Sequence, residues 1–150
     1  MKPGKVRPLA LCVIRDGERI LVQEGYDPAK EQTFYRALGG GIEFGERSQH
    51  AAAREIREEL GAEVTDLEFL ATIESVFVFD GLPGHEIALV YSGRFADPAL
   101  NAQPILTGAE EDGTPITAVW KRLDAFGADT SPPLYPEGLL ELLTEDVGEM

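Results

Sequence analysis

The sequence predicts an α/β fold, a mixed β-sheet flanked by helices. Three features lead there: a β-hairpin pattern near the start, an alanine-rich helical segment between two groups of strands, and a leucine-rich helical segment at the end. With 150 residues and 43% hydrophobic content, the chain suits one domain over residues 1–150. It carries no internal repeat, linker or low-complexity tract.

"VRPLALCVIRDGERILVQEG" reads as two apolar runs joined by Asp16-Gly17, a dipeptide suited to a tight hairpin turn. "TFYRALGG" predicts a short aromatic strand leading into a glycine-rich loop at Gly39, Gly40 and Gly41. Ser48 as N-cap, Gly61 as C-terminal stop and the alanines 51–53 predict a helix over 48–60. Its apolar stripe is Ala52, Ala53, Ile56 and Leu60. "AEVTDLEFLATIESVFVFDG" is rich in β-branched and aromatic residues and predicts one or two strands. "LPGHEIALVYSGRF" predicts a turn and then a strand covered on both sides, with Ile87, Leu89 and Tyr91 on one face and Ala88 and Val90 on the other. From Asp97 to Pro115 the composition is that of a loop, followed by a short strand "ITAVWKRL". In "YPEGLLELLTEDV" the residues Leu139, Leu140, Leu142 and Leu143 predict a helix packed inward.

The net charge of −14, from 27 acids against 13 Lys and Arg, argues against a grip on polymeric nucleic acid. Beyond Arg122 there is no Lys or Arg, and the acids from Asp124 to Glu149 read as a solvated surface. The single cysteine, Cys12, excludes an intrachain disulfide and reads as a buried structural thiol. The early apolar run ends at Arg15 with no cleavage site, so neither signal peptide nor membrane span is expected, and the expected location is the cytoplasm.

Chemistry concentrates between residues 39 and 62. Glu55 with Glu59, and Glu55 with Glu58, are like charges four and three residues apart, each pair costing roughly 0.2–0.5 kcal/mol in a helix. Alone, "EIREEL" with Arg54 and Arg57 also suits a solvated face. The upstream glycines and Glu46 at the helix start favour a metal site instead, and carboxylates without Cys or His among them suit Mg²⁺ first and Mn²⁺ next.

The segment is similar, position by position, to the signature of the Nudix hydrolases. Gly40 is followed after five residues by Glu46, and after seven more by Arg54-Glu55-Ile56; Glu58-Glu59 and Gly61-Ala62 complete it. The departure is Gly39, where many relatives carry proline before the glycine pair. The resemblance implies an α/β/α sandwich and metal-dependent hydrolysis of a nucleoside diphosphate linked to another group. It implies that Glu55, Glu58 and Glu59 hold divalent ions with the Gly39 carbonyl, that Arg54 orients the glutamates, and that Glu46 ties the loop to the helix. Glu55, Glu58, Arg54 and Glu46 form the expected catalytic group.

The base that takes the proton from water stays open between Glu55 and the pair Glu110 and Glu111 in "TGAEEDGTP". Arg36, Gly40, Gly41, Glu110 and Glu111 are the expected substrate-binding residues. Phe34, Tyr35, Phe77, Phe79 and Trp120 read as core first and as base-stacking rings second, and His85 reads as a turn stabiliser. The expected partner is a small nucleotide, with no membrane, and a homodimer is expected by analogy with small members of the family. The alternative is a non-catalytic nucleotide sensor on the same fold.

Overall fold

A computed structural model of the chain describes residues 4–129 and 131–148. The early positive charge at Lys2 and the acid at Glu149 lie outside the described residues, as does the side chain of Asp146. The elements are β1 (Val6–Asp16), β2 (Arg19–Asp27), β3 (Gln32–Arg36), β4 (Leu38–Gly41), α1 (Ser48–Leu60), β5 (Val64–Phe79), β6 (Leu82–Phe95), β7 (Ile105–Ala109), β8 (Pro115–Arg122), β9 (Leu134–Tyr135) and α2 (Leu139–Gly148).

The strands form one mixed sheet in the order β5-β6-β1-β2-β3-β9, with β4 on β1 and β8 joining β2 to β7. The pairs β1–β6 and β3–β9 are parallel and the others antiparallel. Strand β1 explains the unbroken apolar run "PLALCVI". Ala10, Cys12 and Ile14 face the core under α1, whereas Leu9, Leu11 and Val13 face the core under α2. A central strand covered on both sides needs apolar residues at every position. The result is the three-layered α/β/α arrangement that the sequence predicts.

Ala51, Ala52 and Ile56 anchor α1, and Leu139 and Leu143 anchor α2. Leu140 and Leu142 pack at the edge of the second core. Strand β6 is covered on both sides, with Leu89 and Tyr91 toward α1 and Ala88 and Val90 toward α2. Cys12 is buried and its thiol is pushed up to about 12 by that burial.

Four expectations are corrected. The glycines are not a loop: Leu38–Gly41 is a strand, with Gly39, Gly40 and Gly41 registered against Leu11, Ala10 and Leu9 of β1. Ser48 is not the N-cap; Arg47 holds that place without a side-chain cap, and Ser48 Oγ lies 2.6 Å from the Tyr91 hydroxyl. The stretch 97–115 is not one loop but a 3₁₀ turn at Pro98–Ala102, capped by Asp97 onto the Ala99 N–H at 3.0 Å, and then strand β7. Finally, Asp16 pairs with Arg19 across the first hairpin, so the turn residues are Gly17 and Glu18, and Gly17 takes the positive φ of 62°. Gly61 does close α1 in the left-handed conformation, at φ 67°.

Ile56 is fully buried where α1 meets the sheet. Ile56→Ala is expected to cost about 2–5 kcal/mol of stability, as a shift of the urea midpoint with little change in slope.

Candidate active site

The side chain that organises this region is Arg54. Its Nε donates to Glu46 Oε2 at 2.7 Å, and its Nη2 to Glu46 Oε1 at 2.9 Å, a bidentate pair. The same Nη2 donates to the Gly41 carbonyl at 2.9 Å. Its Nη1 donates to Glu55 Oε1 and Glu58 Oε2, each at 3.0 Å. One guanidinium thus joins the 42–47 loop, the end of β4 and two of the helix acids. Glu46 closes its own loop by accepting the Glu43 N–H at 3.1 Å. Arg54 holds the Glu46 carboxyl down to about 2, and Glu46 in turn raises the Arg54 guanidinium further.

The glutamates of α1 differ in environment. Glu58 is exposed, Glu55 is partly buried, and Glu59 is buried at 7% exposure. The three acids share the cleft but differ in depth, Glu59 being the one drawn into the interior. Its Oε1 has no hydrogen-bond partner. Burial pushes Glu59 up to about 8, helped by the charges of Glu55, Glu110 and Glu58 and opposed by Arg36. Burial also raises Glu55, against the pull of Arg54.

Glycines make the room for this crowding. A Cβ on Gly40 would stand 2.5 Å from the Glu55 carboxyl carbon, so the missing side chain is the space that Glu55 fills. Gly39 has φ 146°, and a Cβ there would lie 2.2 Å from the Ala10 carbonyl oxygen. Proline holds φ near −65°, so this backbone excludes proline at 39, and the glycine there is a requirement of the strand pairing. Gly108 of β7 lets that strand approach the Glu59 carbonyl, where a Cβ would meet the oxygen at 1.8 Å.

These residues border a cleft of about 1110 Å³. Of the residues singled out from sequence, Arg36, Gly39, Gly40, Gly41, Glu55, Glu58, Glu59, Glu110 and Glu111 all line it, while Glu46 and Arg54 stand behind them. Glu110 and Glu111 sit in the tight β7–β8 turn, where the Glu110 N–H bonds the Thr114 carbonyl at 2.8 Å. Among the described residues no three acids or imidazoles converge on one point at ligand distance. In this arrangement Arg54 is what joins Glu55 to Glu58.

The aromatic residues separate into two sets. Phe34, Phe77 and Phe79 line the cleft. Tyr35 is core, edge-on to Phe126 at 6.0 Å, and Trp120 packs against Phe95 at 6.1 Å with the Arg19 guanidinium 4.6 Å above its ring. His85 is not a turn stabiliser, since the turn lies between Phe79 and Leu82; its Nε2 stands 3.0 Å from Glu74 Oε2 on the neighbouring strand.

Sequence reasoning missed Arg7 and Asp27. Arg7 lies over Gly41 in the cleft, its Nη2 3.5 Å from where a Cβ of Gly41 would be, and its charge acts on Glu55. No local signal marks it, because only the β1–β4 pairing brings it there. Asp27 is 4% exposed and its Oδ1 accepts the N–H groups of Ala29 at 3.0 Å and Asp80 at 3.2 Å. The Asp27-Pro28 dipeptide is a turn signal, but its reach to Asp80 is tertiary.

Comparison with known proteins agrees with this geometry. A sequence model described as the NUDIX domain matches residues 5–137. The protein called NAD-capped RNA hydrolase NudC, from Mycobacterium tuberculosis and from Mycobacterium bovis, is 31% identical over 70 residues, which is 45% of this chain. The match spans only 21% of those relatives' length. A NUDIX hydrolase from Nitrosomonas europaea superposes with a TM-score of 0.65 at 16% identity, over 97% of this chain and 90% of the other. A MutT NUDIX hydrolase from Burkholderia pseudomallei gives 0.59 at 21% identity, over 93% and 97%. The E. coli ORF135 protein gives 0.59 at 24%, over 97% and 93%. At these identities the structural likenesses speak for the fold.

Glu59 sets a pH dependence in the metal-free protein. Its folded value of about 8 is above the ordinary 4.5. The folded state therefore binds the proton more tightly, and this contribution is full below about pH 4.5 and is lost as pH rises through 8. Glu59→Gln removes that loss. The variant is expected to gain on the order of 1 kcal/mol or more over wild type between pH 5 and pH 8, measured by urea unfolding with a chelator present.

Proposed function

The chain belongs to the NUDIX family of hydrolases, and from that premise we propose that it hydrolyses a small nucleoside diphosphate derivative with Mg²⁺, or secondarily Mn²⁺, by water attack on phosphorus. The observation that carries this reading is the gathering of Glu55, Glu58 and Glu59 at one cleft with a buried, unpartnered Glu59 oxygen.

The residues fit a hard divalent cation. Carboxylate oxygens with no thiolate or imidazole among them suit Mg²⁺ and Mn²⁺ rather than zinc. A cation also answers both the orphaned Glu59 Oε1 and the burial and like charges that raise its carboxyl. Glu55, Glu58 and Glu59 would hold the ion, with the Gly39 carbonyl as a further donor. When bound, it neutralises charge on the phosphoryl oxygens.

The other tasks fall to the chain itself. Arg7 and Arg36, whose guanidinium groups make no ion pair among the described residues, bind phosphoryl oxygens. Gly40 gives the Glu55 carboxyl its room, and Gly41 lets the Arg7 guanidinium lie over the end of β4 beside the diphosphate. Arg54 and Glu46 hold the end of β4 and the helix acids in register, as positioning residues. Glu55, raised by burial against the pull of Arg54, is the proposed acceptor of the proton from the attacking water. Glu110 and Glu111 border the substrate from the opposite turn.

The mycobacterial relatives are named for hydrolysis of NAD-capped RNA, and NAD as a compound contains a diphosphate link. For this chain the proposal carries over the diphosphate link and not the polymer, because a net charge of −14 repels an RNA backbone. The described residues hold no helix long and apolar enough to cross a membrane. A buried, unreactive Cys12 suits the proposed cytoplasmic setting. Residues 1–150 are proposed to work as one catalytic domain, in a homodimer by family analogy.

The test is a panel of ADP-ribose, nucleotide sugars, dinucleoside polyphosphates and nucleoside triphosphates with Mg²⁺ or Mn²⁺, read by the phosphorus-containing products. At least one is expected to be cleaved at the diphosphate; binding without cleavage across the panel would leave a nucleotide sensor. Glu58→Gln and Glu59→Gln are each expected to lower kcat by about 100-fold or more, near 2.7 kcal/mol, with the fold intact, the melting temperature in a chelator being no lower than that of wild type. Near-normal rates in both would sink the proposal. Arg7→Gln is expected to raise KM about 5- to 50-fold with a smaller effect on kcat, the pattern of a lost charge-assisted phosphate contact.

A further inference from the structure

The cleft extends well past its acidic end, and what lines the far end is aromatic. Strand β3 presents Gln32, Phe34 and Arg36 on one side, and all three line the cleft. Phe34 is flanked by Tyr135 of β9, with ring centres 5.6 Å apart at 57°, and by Phe79 of the β5–β6 hairpin tip, 5.8 Å away at 81°. Both neighbours meet Phe34 tilted or edge-on, so neither ring covers its face in a parallel stack. The partner strand allows this seat, since a Cβ on Gly25 would stand 2.4 Å from the tip of the Phe34 ring.

The aromatic cluster is preformed. Asp27 accepts the Asp80 N–H at 3.2 Å and Lys30 Nζ reaches the Val78 carbonyl at 3.2 Å, which holds the hairpin tip, and Phe79 with it, against the β2–β3 turn. Phe79 is still 38% exposed and Phe34 is half-buried. Position matters as much as composition. Phe34 and Arg36 are alternate residues on one strand face, about 6.6 Å apart, roughly the span of a ribose between a base and its phosphate. Beyond Arg36 lie the α1 glutamates.

We propose that Phe34, with Phe79 and Tyr135 as walls, is the base-stacking subsite of this cleft, so that the substrate is a nucleotide held in the order base at Phe34, phosphate at Arg36, reacting diphosphate at the glutamates. This rests on the hydrolase reading above and adds the orientation of the substrate and the residue that selects for a base.

The test compares two probes that share a diphosphate mimic which cannot be hydrolysed and differ only in adenosine: α,β-methylene-ADP and methylenediphosphonate. Each is titrated calorimetrically with Mg²⁺ present into wild type, Phe34→Leu and Phe34→Tyr, with melting temperatures recorded. Phe34→Leu is expected to weaken α,β-methylene-ADP about 5- to 30-fold, the scale of one lost base stack, while methylenediphosphonate stays within about twofold. Phe34→Tyr keeps the ring face and is expected to restore nucleotide affinity. An unchanged nucleotide affinity in Phe34→Leu, or an equal loss for both probes, overturns the base slot. Wild type binding both probes equally well overturns the slot alone, whereas wild type binding neither overturns the hydrolase reading with it.

Discussion

The arrangement around the cleft depends on one charged contact set, the guanidinium of Arg54. It is bidentate to Glu46, bonds the Gly41 carbonyl, and reaches both Glu55 and Glu58. Arginine suits this because its donors lie in one plane and point in several directions at once, which a lysine ammonium does not reproduce. Helix α1 begins without a side-chain cap, so its entry is secured by this contact and by the Arg47 carbonyl accepting from Ala51 at 3.0 Å. A loop, a strand end and a helix meet at one cation.

That fixed frame tolerates what would otherwise be an electrostatic fault. Glu55 fills the space that Gly40 leaves, and Glu59 is buried with an unpartnered oxygen and a carboxyl raised to about 8. Carboxylates held close together in a partly desolvated place store repulsion that a cation relieves, which is the physical content of the proposed metal site. The same economy extends along the cleft. On a protein with a net charge of −14, Arg7, Arg36 and Lys30 reach the same concave surface but are outnumbered there by carboxylates, so an anionic substrate depends on those few cations and on the proposed metal ion.

Much of this was legible in advance, for identifiable reasons. The spacing from Gly40 to Ala62 constrains α1 to 48–60, because Gly61 can take the left-handed closing conformation and the alanines favour helix. The buried runs of β1 and β6 declared themselves by apolar residues on both faces. Less legible was the strand character of the glycines, since glycine carries no side-chain pattern and Gly39–Gly41 is recognisable as a strand only from its register with β1. Strand β7 was hidden for a related reason. Its five residues include Gly108, whose role is to approach the Glu59 carbonyl across sequence distance.

The sequence by itself determined the three-layer fold class, helix α1 with its acids and the family to which the chain belongs, because these depend on local periodicity and on a spacing confined to about two dozen residues. Tertiary structure alone decided which glutamate is buried, that Arg7 enters the cleft, and that Asp27 ties the β5–β6 tip beside Phe34. Burial and proximity are properties of strand pairing across long separations. A charge at position 7 has no neighbour at 55 until the sheet and α1 have formed.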